Sequence, residues 1–171
     1  MQIICKKMLR LFSMTVLLVF ASIQLTYGQE RGPVTNLPMP RYVSLKASKA
    51  NARRGPSLSH RIDWVFVRKH MPLEIYGEYE NWRRVRDIDG AGGWVHYSLL
   101  SGSRTAILIV DMQPMLYAPA NDSTIVARFE KGAIGDIRKC VLKWCQLAAG
   151  GYKGWVPKTS MWGVYGDETK D

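Results

Sequence analysis

Short runs in which apolar and polar residues alternate follow one another along most of the chain, with turn residues between them. The predicted strands of the first such region are WVFVR (64–68), LEIYGEY (73–79), WRRVRD (82–87) and the run at 94–96. β-branched and aromatic residues with this alternation are typical of strands. Glu80-Asn81 predicts a two-residue hairpin turn, 89–93 predicts a second turn, and 98–100 predicts a brief helical turn. About five short strands in so short a region indicate a small antiparallel barrel.

The same pattern occurs twice in the chain. Trp82 and Trp144 are 62 positions apart, Ile75 and Ile137 are also 62 apart, and Trp94 and Trp155 are 61 apart. A fixed offset of this kind means that one structural unit is used twice. We therefore predict an all-β protein with two tandem barrels and no helix longer than about three turns. The predicted segments are a proline-rich linker or ordered lead-in (29–41), unit one (42–103), unit two (104–165) and an acidic tail (166–171), which we expect to be frayed.

The beginning of the chain is typical of a secretory signal peptide. Three basic residues precede an almost unbroken apolar run of 13 residues at 11–23, and small or neutral residues follow. The run is short for a membrane-spanning helix, which needs roughly 20 residues. We predict a signal peptide at 1–28 and an exported protein, periplasmic or secreted, with an uncleaved N-terminal anchor as the alternative.

Export changes the interpretation of the cysteines. Only Cys140 and Cys145 follow the predicted signal peptide, and an oxidising compartment favours disulfides. Aligning the two units by their tryptophans places these cysteines against Glu78 and Arg83, which would face each other across the Glu80-Asn81 turn. We therefore predict a Cys140–Cys145 disulfide, with two free buried thiols as the alternative. The three histidines are isolated in the sequence, so we expect no metal site.

The stretch NARRGPS (51–57) and later motifs of unit one carry a family resemblance. Together with Trp82 and Val85 and with Gly93-Trp94-Val95, the stretch resembles the pattern of bacterial SH3-like domains. The resemblance covers nearly all of the predicted exported chain and is weaker in unit two, where 115–123 keeps Pro119 but has Tyr117 near the place of the arginine. It implies an exported protein, since members of the wider family commonly bind cell-wall peptidoglycan or peptides.

Candidate site residues come from unit one. We find no catalytic motif and expect neither enzymatic activity nor a cofactor. Flat aromatic side chains suit sugar rings and peptides, and arginine attracts carboxylates, so the candidates for ligand binding are Trp82, Tyr97, Arg53 and Trp94. Gly55-Pro56 predicts a sharp turn, since glycine tolerates a positive φ and proline fixes its own φ. Arg53 can brace that turn or contact a ligand, and both interpretations stay open.

The orientation of the aromatic residues is the least defined part of this prediction. Trp82 and Val85 are three positions apart, an odd offset that places them on opposite faces of a regular strand. Either a bulge intervenes or Trp82 points outward, and we favour the second. Nine aromatic residues are surface candidates, of which we expect half or more to belong to the core, because a small barrel needs large side chains to fill it. They are Trp82, Trp94, Tyr76, Tyr79, Tyr97, Trp144, Tyr152, Trp155 and Trp162.

The net charge of +10 widens the range of partners. Arginines and a lysine are dense between Arg53 and Lys69, and Arg83, Arg84 and Arg86 share one predicted strand. Such patches bind nucleic acid in other proteins, but predicted export makes anionic polymers of the cell envelope the nearer target. We expect a non-catalytic module that binds peptidoglycan or an exported peptide, with no nucleic-acid partner and no membrane contact beyond the transient signal peptide. The alternative is a structural or regulatory scaffold that binds another exported protein.

Overall fold

A computed structural model describes residues 30–171, and the predicted signal peptide lies outside the described residues. The described chain is built from strands, with two 3-10 helices of three residues each, at Tyr97–Leu99 and Lys158–Ser160. The strands of unit one are β1 (Arg41–Leu45), β2 (Ala50–Arg53), β3 (Ile62–Phe66), β4 (Pro72–Tyr79), β5 (Trp82–Arg86), β6 (Gly92–His96) and β7 (Leu100–Ser101). Those of unit two are β8 (Thr105–Leu108), β9 (Gln113–Leu116), β10 (Ile125–Phe129), β11 (Ile134–Cys140), β12 (Trp144–Ala149), β13 (Tyr152–Pro157) and β14 (Met161–Trp162).

The two units have the same topology, which confirms the predicted all-β tandem architecture. Each forms one seven-stranded antiparallel sheet, in the order β3-β2-β6-β5-β4-β1-β7 for unit one and β10-β9-β13-β12-β11-β8-β14 for unit two. Each sheet wraps around its own hydrophobic cluster. The structure has more strands per unit than the five predicted, because β2 extends into the NARRGPS stretch and because a two-residue strand follows the 3-10 helix.

The cores are mostly aliphatic, and the expectation that half of the aromatic candidates belong to them is wrong. The core of unit one contains Phe66 among residues such as Leu45, Leu73 and Val85, and that of unit two contains Met115 and the two cysteines. None of the nine tryptophans and tyrosines proposed from the sequence belongs to either cluster. Strand alternation places small and branched residues inside, so the large rings lie on the outer faces of the sheets.

The predicted hairpin register is confirmed in both units. In unit one Tyr79 pairs with Trp82 around the Glu80-Asn81 turn, and Glu78 pairs with Arg83. In unit two Cys140 pairs with Cys145, with a Cα–Cα distance of 4.1 Å, and the two residues form the predicted disulfide. The register therefore places a charged pair and a cystine at equivalent positions.

Two other turns also follow the sequence pattern. His70 (φ 66°) and Gly132 (φ 88°) occupy equivalent left-handed positions, and their amides donate to Leu45 and Leu108 carbonyls, respectively. Histidine accepts such a conformation better than most residues do. Asp87 caps the turn before β6, because its Oδ1 accepts hydrogen bonds from the amides of Asp89 (3.0 Å) and Ala91 (2.8 Å).

The proline-rich lead-in is ordered and is held by Glu78. Oε2 of this buried carboxylate accepts from the amides of Val34 (3.1 Å) and Thr35 (2.9 Å). Its Oε1 accepts from the Thr35 hydroxyl (2.7 Å) and from Nη2 of Arg41 (2.6 Å). Burial alone would raise the pKa of Glu78, but the hydrogen bonds from Thr35, Arg41 and Val34 lower that pKa to about 2.

The acidic tail is tied to unit two, so the expectation of a frayed end is not met in the structure. The backbones of Lys170 and Cys140 exchange two hydrogen bonds, of 2.7 and 3.1 Å. The carboxylate of Glu168 pairs with Arg104 at 2.8 Å, and the ammonium group of Lys158 donates to the Gly166 carbonyl at 3.0 Å. The composition of the tail does not predict these attachments, because the residues that hold the tail lie up to 64 positions away in the sequence.

Side chains from both units meet at a shared interface. The Tyr42 ring contacts Trp162 edge-on, with ring centroids 5.0 Å apart, and stacks obliquely on Tyr165 at 4.6 Å. The Tyr165 hydroxyl donates to Oε1 of Glu74 (3.1 Å), and Oε2 of Glu74 pairs with Arg86 at 2.6 Å. Burial and then the charge of Glu74 raise the pKa of Tyr42 to about 12. Both tyrosines of this interface thus lie in a partly desolvated environment.

Candidate functional site

A groove on the outer face of unit one brings two of the predicted site residues together. We call it the unit-one groove, and its cavity volume is about 390 Å³. Its main lining residues are Lys49, Asn51, Arg53, Leu58, Trp82 and His96. Among the described residues, no carboxylate lines this groove. It therefore combines an aromatic surface with cationic side chains.

Strand β2 supplies one wall because its residues alternate between the core and the surface. Ala50 and Ala52 are buried in the hydrophobic cluster, so Asn51 and Arg53 project from the opposite face. Arg53 pairs with Trp94 on β6, where this face continues across the sheet. The small alanines let the strand lie close to the core, and the long polar side chains remain available at the surface.

Arg53 braces the loop that follows β2. Its Nη1 donates to the carbonyls of Leu58 (2.9 Å) and His60 (2.7 Å), which confirms the bracing interpretation. Within residues 30–171 its Nε and Nη2 atoms make no hydrogen bond, so the same guanidinium still has donors for a ligand. The two roles left open by the sequence are therefore compatible in one side chain.

Gly55 serves this loop in a way that differs from the expectation. Its backbone does not adopt a positive φ. A Cβ at Gly55 would instead lie 2.5 Å from Nε2 of His60, so a larger residue would displace the imidazole ring. Glycine is required at this position because the His60 ring packs closely against it. The loop in turn holds Leu58, which is 76% exposed, at the rim of the groove.

Trp82 forms part of the groove although it is only 8% exposed. It lies outside the hydrophobic cluster, on the outer face of β5, and pairs with His96 on β6. The two rings meet edge-on with centroids 5.5 Å apart. Trp82 thus points away from the core, as expected, but neighbouring groups cover it. Only a small part of Trp82 is therefore open to a ligand in the groove.

The other two predicted residues lie beside the unit-one groove and do not line it. Tyr97 is half exposed and lines a separate depression with Arg41, Arg83 and Ser101. Its ring lies 5.0 Å from that of His96, so His96 stands between Trp82 and Tyr97. Trp94 is partly buried on the same outer face of the sheet. Of the four predicted residues, Arg53 and Trp82 therefore line the unit-one groove. Trp94 lies beside it, and Tyr97 lines a different depression.

His96 is the residue that sequence reasoning missed. It follows Trp94 by two positions in a strand, so alternation places both on one face and could have identified it. Its Nδ1 accepts from the Ser98 amide (3.4 Å) and lies 2.8 Å from the Ser98 hydroxyl, which fixes the ring. Lys49 and Leu58 had no comparable signal, because loop folding brings them to the groove.

Unit two lacks the equivalent arginine. Leu116 pairs with Trp155 as Arg53 pairs with Trp94, so Leu116 occupies the position of Arg53. In its loop the Ser123 hydroxyl accepts from the Ala118 amide (2.8 Å) and takes over the bracing. Tyr117 occupies the position of Arg54, since both amides bond across their loops, to Thr124 and Arg61 respectively. A ligand that needs a guanidinium at this position therefore distinguishes unit one from unit two.

Two general features of the described chain bear on function. Within residues 30–171 there is no group of three or more histidine, cysteine, aspartate or glutamate side chains that could hold a metal ion. In the same range, no helix has the length and apolar character required to cross a membrane.

Comparisons with known proteins agree with the geometry at the level of the family. The model of the family described as "Bacterial SH3 domain" matches residues 46–102 and 110–163. The chain is also similar to the structure of NlpC2 from Trichomonas vaginalis, at 16% identity over 72% of this chain and 48% of that one, with a TM-score of 0.34. The structure of NlpC1 from the same organism gives 15% identity, 77% and 48% coverage, and a TM-score of 0.34.

The chain spans about half the length of each of these two structures. A search of curated proteins finds no significant match. The two matched segments together cover more than half of the chain, and each contains all strands of one sheet except its first, β1 or β8. The chain belongs to the bacterial SH3 domain family and contains two such domains in tandem.

Proposed function

We propose that the protein is an exported, non-catalytic binding module of the cell envelope, and that unit one binds peptide chains bearing free carboxylates. The observation that carries this proposal is the composition of the unit-one groove. Arg53 has unused guanidinium donors there, and Lys49 adds a second cation. The Trp82–His96 pair offers an apolar edge next to them.

Peptidoglycan has the chemistry that suits this groove. It contains short peptides with free carboxylates, next to sugar rings that can pack on aromatic side chains. A planar guanidinium recognises a carboxylate through two parallel hydrogen bonds. A carboxylate-bearing peptide of another exported protein offers the same chemistry, so the test compares both sources. The Cys140–Cys145 disulfide is compatible with an oxidising compartment.

Co-sedimentation with purified peptidoglycan tests the proposal, at low salt and again at high salt. We expect the wild-type protein to sediment, and we expect Arg53→Gln to reduce the bound fraction strongly at both salt concentrations. Arg54→Gln is the matched control, because Arg54 is adjacent in sequence but pairs with Asp63 outside the groove. Leu58→Ser adds a variant at an exposed rim position that takes no part in the core.

Two results would contradict the proposed site, and a third would contradict peptidoglycan as its ligand. Equal losses for Arg53→Gln and Arg54→Gln would indicate a general charge effect. If high salt releases every variant completely from peptidoglycan, the binding is again a general charge effect. If the wild type sediments no more than an unrelated basic protein, peptidoglycan is not the ligand, and a carboxylate-bearing peptide tested with the same variants becomes the remaining source.

A further inference from the structure

The outer edge of unit one is an exposed apolar strand. β3 is the terminal strand of its sheet, with β2 on one side and, within the described residues, no strand on the other. Four of its apolar side chains are exposed: Ile62 by 40%, Trp64 by 47%, Val65 by 37% and, directly after the strand, Val67 by 68%. An edge with free backbone groups and apolar side chains on both faces is a template for pairing with another strand.

The corresponding strand of unit two, β10, shows that the fold does not require an apolar edge. Ala52 pairs with Trp64 in unit one as Met115 pairs with Ala127 in unit two, and the same register makes Val65 equivalent to Arg128. One position past each strand, Val67 is equivalent to Glu130. At three of the four positions unit two thus has a small or charged residue, which is how proteins ordinarily protect an edge strand. The corresponding strand of unit one carries a tryptophan and two valines instead.

Charges at both ends of β3 indicate what kind of strand it accepts. Arg54 and Arg61 lie at one end, and Arg68 and Lys69 follow the strand at the other. The single acidic residue, Asp63, already accepts from Arg54 (3.1 Å) and Arg61 (2.7 Å). The edge therefore presents an apolar centre between two positive ends.

A second copy of this chain fits the edge poorly. An antiparallel pairing of two β3 strands that keeps Ile62 opposite Val67 also places Arg61 opposite Arg68. Like charges that face each other directly across strands are destabilising. An extended segment with acidic ends has the opposite effect, since its carboxylates would face the arginines and the lysine.

We propose that β3 of unit one is a docking edge for an extended segment of another polypeptide, apolar in its centre and acidic at both ends. The segment adds a strand next to β3, its backbone supplies the hydrogen bonds, and its alternate side chains contact Trp64 on one face and Val65 on the other. This site is separate from the unit-one groove, because neither Trp64 nor Val65 lines that groove. The inference therefore does not rest on the proposed function.

Fluorescence anisotropy with synthetic peptides tests the docking edge on the purified protein. The probe is a labelled peptide of about six alternating valines and threonines, the usual length of a strand, with two glutamates at each end. Its matched partner has lysines in place of the glutamates, and a third version has proline at alternate positions and cannot pair as a strand. We expect the glutamate peptide to bind at least about tenfold more tightly than the other two.

Variants that copy the edge of unit two make the test specific to β3. The combined substitution Trp64→Ala, Val65→Arg and Val67→Glu transfers the protected edge to unit one, and we expect it to weaken binding of the glutamate peptide by about tenfold or more. Ile125→Thr at the edge of unit two is the control that should leave the affinity unchanged. Arg53→Gln reports binding in the unit-one groove instead, and a loss of affinity for this variant with none for the triple variant would place the peptide there. Circular dichroism checks that each variant is folded.

Several outcomes would overturn the proposal. Equal binding of the glutamate and lysine peptides would remove the charge argument, and equal binding of the wild type and the triple variant would remove β3 as the site. If the glutamate peptide does not bind the wild-type protein, β3 is not a docking edge. Sedimentation equilibrium gives a further outcome: a dimer that the triple substitution dissociates would mean that the edge pairs with its own copy.

Discussion

At one pair of equivalent hairpin positions, unit one has two oppositely charged side chains and unit two has a disulfide. In unit one Glu78 faces Arg83 across the β4–β5 hairpin, with Nε of Arg83 3.6 Å from Oε1 of Glu78. In unit two Cys140 faces Cys145 across β11–β12, and the two are joined covalently. The backbone register is the same, so the difference lies in the side chains alone.

The two solutions also attach different ends of the described chain. The carboxylate of Glu78 holds the lead-in through Val34, Thr35 and Arg41. In unit two it is the backbone of Cys140, and not its disulfide, that holds the tail through hydrogen bonds with Lys170. A buried carboxylate stabilises its unit only while every one of its partners is present. A disulfide acts independently of such partners, because it restricts the unfolded chain. Unit one should thus be sensitive to charge and pH, and unit two to reduction.

The largest expected effect follows from Glu78→Ala. The substitution leaves Arg41 and Arg83 without their carboxylate in a largely buried setting and frees the lead-in from its main attachment. Breaking a buried ion pair on one side costs about 3–5 kcal/mol, so urea denaturation should show a loss of that size. Asp63→Ala is the control, because it removes a carboxylate that pairs with two exposed arginines and should leave the midpoint nearly unchanged. Equal effects of the two substitutions would mean that Glu78 has no special structural role.

Acidification should produce the next largest effect, through Glu78 in unit one. The pKa of Glu78 falls from 4.5 to about 2 on folding. A lowered pKa contributes stability that is fully present above about pH 4.5 and is lost as the pH falls towards 2. The total is roughly 3 kcal/mol, whereas the cystine at the equivalent position does not titrate. Denaturant midpoints measured from pH 6 to pH 2 should show this loss in the wild type and a shallower dependence in Glu78→Gln. Parallel curves for the two proteins would contradict the lowered pKa.

Removal of the disulfide should have a smaller effect, confined to unit two. The bond closes a short loop, for which the chain-entropy model gives about 2 kcal/mol. Replacing Cys140 and Cys145 together by alanine should lower the stability of unit two by about that amount and leave peptide binding by unit one unchanged. Mass spectrometry of the wild type after alkylation without reductant should find no labelled thiol at either position. Two labelled thiols per chain in the wild type would contradict the bond.

These two hairpins also mark how far the sequence can predict this structure. The tryptophan offset and a two-residue turn define the register, and the register places Glu78 opposite Arg83 and Cys140 opposite Cys145 from local information alone. The attachments of Thr35 to Glu78 and of Glu168 to Arg104 span 43 and 64 positions, so no local pattern announces them. Alternation likewise predicts Trp82 on the outer face but does not show that its side chain is only 8% exposed there. The sequence predicts which face a residue occupies better than it predicts what lies above that face.

The smallest expected effect concerns the interface that joins the two units. Tyr165→Phe removes the hydroxyl that donates to Glu74, and burial together with this carboxylate raises the pKa of Tyr165, so the hydroxyl is protonated at neutral pH. Glu74 keeps its pairing with Arg86 in the variant, which limits the loss to roughly 1 kcal/mol. Urea denaturation measures the change, and Tyr152→Phe is the matched control, since the ring of Tyr152 is half exposed and its hydroxyl makes no hydrogen bond within residues 30–171. If the two substitutions have equal effects, the hydrogen bond from Tyr165 to Glu74 contributes nothing to stability, and the units are joined by the packing of Tyr42 against Trp162 and Tyr165 and by their other hydrogen bonds.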